Sequence, residues 1–595
     1  MLRRSFLEQL AGASSACALQ ALLPAWARAA TDHRATSPTA LTGNTLDLVV
    51  EQRRAAIAGR VARHITINNQ FPAPLLRWRE GDTLRLRVRN ALEDSTSIHW
   101  HGILLPADMD GVPGVSFAGI GPGKTFEYQF TLGQSGTYWY HSHSGLQEQI
   151  GHYGPIIIDP SEPEPYRVER EYVVMLSDWS FESPARIFAR LKKMSDSYNF
   201  QRRTLVDLLH DIRAHGISDA LSDRARWGAM RMDPTDLADV TGATYTYLVN
   251  GHSPEENWTA LFHPGETVRL RFINAAAMSI FNVRIPDLPM TVIQADGVPV
   301  QPVETDEFQL GTAETYDVLV RPAEARAYTI MAETNDFFAY ARATLSPQPG
   351  MQAEVPALRQ RPLLTMLDMG MAHAHESPQP TPSSGTGISH PEHAEHHERA
   401  AHDQVEGAPG TLQQKDETSA ESQDQQHPHR HEVGVVNLAQ APASRLHERP
   451  LGLEHEPHRV LVYADLRSLV ASAPARPADE ELELHLTGNM ARYMWSFDGL
   501  KFSEIEAPIP LRKGSRTRLH FVNDTMMPHP VHLHGMYFEL VNGAGAAQPR
   551  KHTLVIKPGE KVAVDINVEA PGRWAFHCHL LYHMHAGMMR VFEVT

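Results

Sequence analysis

Residues 577–588, His-Cys-His-Leu-Leu-Tyr-His-Met-His-Ala-Gly-Met, decide how the rest of this chain is read. They follow Arg573-Trp574-Ala575-Phe576, a run with strand character. Neighbouring side chains on a strand point to opposite faces. His577 and His579 are therefore expected on one face and Cys578 on the other. Cys578, His583 and Met588 supply thiolate, imidazole and thioether. A Cys, two His and a weak axial Met make the ligand set of a blue, type 1 copper site. One His of that set must come from elsewhere in the chain. The pair facing the other way, His577 and His579, implies a second metal centre behind the first.

The second informative signal is an internal repeat. Gly81 to Asn90, Gly265 to Asn274 and Gly514 to Asn523 each run from a Gly to an Asn nine positions on, with apolar and polar residues alternating between. Alternation of this kind marks a half-buried strand. Three copies of one strand-rich unit, with Gly/Pro turns, predict antiparallel sandwiches or barrels of Greek-key type. The first and third copies match further. His99-Trp100-His101-Gly102 aligns with His532-Leu533-His534-Gly535, and His141-Ser142-His143 with His577-Cys578-His579. The middle copy has Val283 and Ile285 where histidines would stand.

The four His-x-His pairs contribute eight histidines, two pairs from each outer unit. Residues i and i+2 share a strand face, so each pair can clamp neighbouring metals. A cluster holding all eight would sit between the first and third units and suits three coppers. His529, three residues before His532, is the candidate for the missing type 1 ligand. Three coppers plus one give four one-electron centres, the number needed to reduce dioxygen to water. Electrons would enter at the type 1 copper and pass through Cys578 to His577 and His579.

Composition limits the setting. The chain has 595 residues, a net charge of −16, 34 histidines and 21 methionines. The negative charge argues against a nucleic-acid partner. Arg3-Arg4-Ser5-Phe6-Leu7, an apolar stretch and A-x-A sites ending near Ala29 read as a twin-arginine signal over residues 1–29. Periplasmic export follows, with no stable membrane anchor expected. Removal of the signal takes Cys17 and leaves Cys578 as the one thiol. Residues 184–232 read as amphipathic helices, and about 350–455, rich in Pro, Ser, Glu, Gln and His, as a disordered linker. Ten histidines between His373 and His431 could bind extra copper.

These motifs resemble those of the multicopper oxidases, the family of laccases, ascorbate oxidase and ferroxidases, over nearly all of the mature chain. The resemblance implies an all-β chain of three cupredoxin-like Greek-key sandwiches, at 44–160, 165–350 (helical insertion about 183–240) and 456–595, with a His-rich linker at 351–455. It implies a type 2 copper on His99 and His532. It implies type 3 coppers on His101, His141 and His579, and on His143, His534 and His577. The type 1 copper would take His529, Cys578, His583 and Met588. Asp110 would stand near the cluster and help deliver protons. A narrower resemblance is to the periplasmic copper-resistance protein A group. It is carried by Ser177-Asp178-Trp179, Tyr198-Asn199-Phe200, Met230 to Val240 and Ala295-Asp296-Gly297. That group implies oxidation of Cu(I) or phenols in copper tolerance.

Two departures stand out. Leu581 and Met584 are neutral where some relatives place an acid beside the type 1 ligands. The late linker is His-rich, with Met366, Met369 and Met371 as a remnant of the Met-rich repeats common in the copper-resistance group. Met526, Met527, Met584 and Met589 could form a Cu(I) entry path, though Met is also a common gap-filler. Other readings are a general laccase and a copper-sequestering protein working through its linker.

Overall fold

Asn90, Asn274 and Asn523 are each fully buried. The amide of each donates to carbonyls of two loops: Asp94 and Ile120, Ser279 and Leu310, Met527 and Ile556. The Asn oxygen accepts from a backbone N–H two residues on, at Leu92, Ala276 and Thr525. A side chain that satisfies three backbone groups in the interior explains why each repeat ends in Asn. The Gly that opens each copy takes a left-handed φ, 93°, 89° and 82° at Gly81, Gly265 and Gly514, where a side chain would be strained.

The structure is a computed structural model that describes residues 40–371, 433–471 and 476–595. The predicted signal and the histidines from His373 to His431 lie outside the described residues. Six sheets form three two-sheet sandwiches, of five and four, six and six, and six and five strands in chain order. The fold is all-β in its core, with cupredoxin-like architecture.

The sheets are mixed, not antiparallel throughout. The first long strand of each unit runs parallel to its Gly-to-Asn strand, in one register: Val50 beside Asn90, Leu176 beside Asn274, Leu486 beside Asn523. Greek-key crossings produce this pairing, because the chain passes to the other sheet before it returns.

Helices Pro184–Leu191, Leu205–His215 and Ile217–Met230 occupy the insertion in the middle unit. Ser183 caps the first, with Pro184 at its start, and Thr204 and Asp207 form a capping box on the second. Ile187, Leu191 and Trp227 bury the insertion against the core.

The disordered linker expected over 351–455 does not hold at its two ends. Residues 351–371 and 433–455 pack on the sandwiches through buried Leu364, Met369, Leu446 and Leu453. Arg359 is bound by Glu307 and Glu456, at 2.7 and 2.6 Å, and by Glu333. Composition hides this because the anchoring groups are charged. Val460–Leu461, expected in the third unit, pairs parallel to Glu307 and Phe308 at the edge of a middle-unit sheet.

The middle and third units are joined by a buried ion cluster. Lys551 Nζ lies 3.0 Å from both Asp296 Oδ2 and Glu314 Oε1, all sealed from solvent. Asp296 also accepts the backbone N–H of His552 and Thr553. Removing the cation would leave two buried like charges. Lys551→Met is expected to cost about 3–5 kcal/mol, read as a fall in the unfolding midpoint of the copper-free protein. An unchanged midpoint would contradict the assignment of Lys551 as the joint.

Candidate metal centre

Strand His99–His101 pairs antiparallel with Gly136–His141, with His99 opposite His141. Strand His529–Leu533 pairs with Gly572–Cys578, with His532 opposite His577 and Val531 opposite Cys578. The two domains meet on these strands, and their histidines interleave. The His101 ring stacks on His532 at 3.8 Å between centroids. His99 lies 4.0 Å from His534 and 5.8 Å from His532. His143 is 5.0 Å from His577, and His141 and His101 are each 5.0 Å from His579. All eight predicted histidines therefore share one seam. His143, His534 and His577 bring ring nitrogens within 4.8 Å of one another, as do His99, His101 and His141. In the middle unit Val283 and Ile285 are buried in the core.

The hydrogen bonds hold one nitrogen of six of these rings, those of His99, His101, His141, His532, His534 and His577, against a protein oxygen. His99 Nδ1 faces the Asp110 carbonyl at 2.8 Å and its carboxylate at 3.3 Å. His534 Nδ1 faces Asp110 Oδ2 at 2.8 Å. His532 Nδ1 faces the His552 carbonyl, and His577 Nδ1 the Cys578 carbonyl, at 2.8 and 2.9 Å. His141 Nδ1 faces Glu148 Oε2 at 2.7 Å. His99, His101, His141, His143 and His532 each keep one buried ring nitrogen without a partner, and His579 keeps both. His534 and His577 turn their Nε2 atoms to each other at 3.0 Å. A buried unpaired polar atom costs about 1–3 kcal/mol. Seven in one seam point to a ligand that satisfies them together. Imidazole donors of this kind fit copper.

The second centre forms on the other side of the same strand. Cys578 Sγ lies 3.4 Å from His529 Nδ1 and 3.8 Å from His583 Nδ1, and those nitrogens are 3.2 Å apart. A point about 2 Å from all three atoms exists inside that triangle, the length of a metal–nitrogen bond. Cys578, His529, His583 and Met588 are fully buried. The Met588 carbonyl accepts from Cys578 N–H at 3.1 Å. Burial pushes the thiol of Cys578 up, so ionisation there needs a cation.

Sequence reading missed several groups here. Thr525 Oγ1 holds His529 Nε2 at 2.7 Å. Trp495 stacks on His583 at 4.0 Å. Thr553 Oγ1 stands between His532, His552 and His101, at 3.2, 3.0 and 3.4 Å. Most telling is the acid. Leu581 and Met584 are neutral, yet Asp239 Oδ2 meets His583 Nε2 at 2.8 Å and accepts from Tyr493 OH at 2.5 Å. It arrives from the end of the insertion. Asn199 braces that loop by donating to Thr235 Oγ1 at 3.0 Å and Asp236 Oδ1 at 2.5 Å. The Tyr-Asn-Phe stretch and the 230–240 stretch were the available signals; their joint role needed three dimensions. Of the methionines, Met526 and Met527 are buried core, while Met584 packs beside Met589.

Multicopper oxidase family models match residues 49–163, 218–350 and 475–595. The chain belongs to the multicopper oxidase family and is a copper-dependent oxidoreductase. It is 47% identical to the Copper resistance protein A homolog of Pseudomonas syringae pv. tomato (strain ATCC BAA-871 / DC3000), over 100% of this chain and 99% of that one. It is 46% identical to Copper resistance protein A of Escherichia coli, over 93% of each. The fold is similar to that of Fet3p, described as a multicopper oxidase that functions in iron import (TM-score 0.61, 18% identity, 93% and 90% covered). It is also similar to that of the laccase from Botrytis aclada (TM-score 0.60, 21% identity, 94% and 88% covered).

Burial holds the His577 imidazole down to about 4 and its neighbours His101, His141, His532, His534 and His579 well below the usual range. Above about pH 6.5, folded and unfolded histidines are both neutral. Below it the unfolded chain takes up protons that the seam refuses, so stability falls as pH falls. The copper-free protein is expected to lose stability steeply from about pH 6.5 downward, on the order of 3 kcal/mol from His577 alone by pH 4. Calorimetry across that range checks it, and a flat profile would contradict a neutral seam.

Proposed function

We propose that the chain couples one-electron oxidation of Cu(I) to four-electron reduction of dioxygen, in copper resistance. The convergence of Cys578, His529 and His583 behind a seam of eight histidines carries this reading. His529, Cys578, His583 and Met588 would hold the type 1 copper. His99 and His532 would hold type 2, and His101, His141, His579 and His143, His534, His577 the type 3 pair. When bound, the four coppers supply four one-electron centres, so that dioxygen is taken to water without release of partly reduced oxygen.

The chain's own residues set up this chemistry. Cys578 and its two flanking histidines offer a covalent path from one centre to the other. Asp110 orients His99 and His534 through their Nδ1 atoms, leaving each Nε2 free for metal. Asp110→Ala is expected to weaken copper retention by about 10–100-fold, measured by copper content after chelator dialysis. Full retention would remove Asp110 from that role.

Asp239 favours a cationic reductant. Its carboxylate joins His583, and Asp233, Asp236, Met230 and Met232 lie on the same stretch. The type 1 residues are sealed from solvent, so a phenol cannot touch His583 directly. Periplasmic action is part of the proposal, supported by Arg3-Arg4 and its apolar sequel. Among the described residues no helix is long and apolar enough to cross a membrane.

The test is oxygen uptake by the copper-loaded protein with Cu(I) and with a phenol. Cys578→Ser should lose the blue colour and uptake with both. Asp239→Asn should lower Cu(I)-driven uptake by about 10–100-fold and phenol-driven uptake less. Faster turnover of phenol than Cu(I) in the wild type would favour a laccase. Loss of copper tolerance on deleting 373–431, with uptake intact, would favour sequestration.

A further inference from the structure

Among the described residues, Asp110 and Glu148 are the carboxylates that pair with a ring nitrogen of the eight seam histidines. Asp110 serves His99 and His534. The opposite side, His101, His141 and His579, has Glu148. No motif spacing marks it.

The local fold is built to deliver Glu148. Strand Gly136–His141 ends in the seam, and a one-turn 3-10 helix, Glu148–Ile150, brings the chain back over it. Gly151 closes the turn at φ 103°, and a side chain there would strike the Phe71 ring at 2.7 Å. Gln147 ties the loop down through Thr96 Oγ1 and Ser142 Oγ, at 2.7 and 2.9 Å. Trp139 stacks on the His141 ring at 4.2 Å and 13°. Glu148 Oε2 meets the ring edge at 2.7 Å, and Glu148 is 3% exposed. The ring plane is thus set by Trp139, and Nδ1 is held by Glu148 at 2.7 Å, nearer than the Ser142 carbonyl at 3.2 Å. Nε2 of His141 is left buried and unpartnered on the seam side.

The next residue anchors this joint to the other two domains. Gln149 donates to the Asp178 carboxylate at 3.1 Å and accepts from Tyr245 OH at 2.6 Å and Tyr582 OH at 3.4 Å. Asp178 accepts the backbone N–H of Ala277 and Met278, both at 2.9 Å. Met278 Sδ in turn accepts Tyr582 N–H, and Ala277 the N–H of Leu581. Glu148 is therefore held by a node that also fixes the helix carrying His583.

We propose that Glu148 is a positioning residue for the type 3 copper pair. It accepts Nδ1–H of His141, fixes the tautomer that offers Nε2 to the metal, and is itself aimed by Gln149. The inference rests on the copper assignment above. A partner on the far nitrogen orients a ligand imidazole, and losing it typically costs about 10–100-fold in metal affinity.

The test uses the full chain loaded with copper, in the wild type, Glu148→Ala and Glu148→Gln. The readouts are copper per chain after chelator dialysis, the near-ultraviolet band and paramagnetic silence of a coupled copper pair, and the blue thiolate band. Glu148→Ala is expected to retain cluster copper about 10–100-fold less tightly and to lose the coupled pair, with the blue band intact. Glu148→Gln keeps an oxygen acceptor at the same place and should match the wild type in all three. A coupled pair retained in Glu148→Ala would overturn the proposal. So would a Glu148→Gln variant as defective as Glu148→Ala, or loss of the blue band together with the pair. A wild type that never shows a coupled pair would instead sink the copper assignment itself.

Discussion

Imidazoles that are to bind metal must be neutral, dry and unable to rotate, and this constraint shapes the whole molecule. Six of the eight seam rings have their far nitrogen engaged by a protein oxygen, at Asp110, Thr553, Ser142 and Glu148, His552 and Cys578. The near nitrogens then have one direction left. Carbonyls do part of this work at no cost in charge. Carboxylates do the rest where loops pass close enough. A seam between two domains suits the purpose, because each domain can offer two strands and neither has to bury eight polar rings alone.

The middle domain has lost the histidines but not its importance. It supplies Asp178, which gathers the chain before the Leu581–Ala586 helix, and Asp296 and Glu314, which hold Lys551. It also supplies Asp239, which holds His583. Gly297 allows Tyr138 to approach where a side chain would collide at 2.3 Å. The Ser-Asp-Trp and Ala-Asp-Gly stretches are thus interdomain fastenings, and their acids act on the outer domains from the middle one.

What could be read from the sequence follows from geometry of short range. His-x-His pairs were legible because a strand has a period of two. The Gly-to-Asn repeat was legible because each end does a local job, a left-handed turn and a three-way amide. The parallel pairs were not legible, since alternation of side chains does not reveal the direction of a neighbouring strand. Asp239 and Glu148 were not legible either. Asp239 lies 344 residues from the ring it holds, and Glu148 follows His141 at an offset with no strand or helix period to flag it. The packed ends of the linker were hidden because Arg359, Glu307, Glu333 and Glu456 anchor by charge, and composition reads charge as solvent.

Charge also explains why the acids come from outside the C-terminal motif. An acid at 581 or 584 would sit on the helix that carries His583, close to Asp239, which already meets that ring. Asp239 enters from the opposite side, shares its Oδ2 with Tyr493, and meets the ring at its outer edge. The ring then lies between the Cys578 sulfur on one nitrogen and the Asp239 carboxyl group on the other. The strand through Cys578 keeps that centre at a fixed number of peptide bonds from the seam. Backbone pairing of Val531 with Cys578 and His532 with His577 makes the spacing a property of the sheet, not of side-chain packing. The two centres can therefore tolerate change around them while the path between them stays constant.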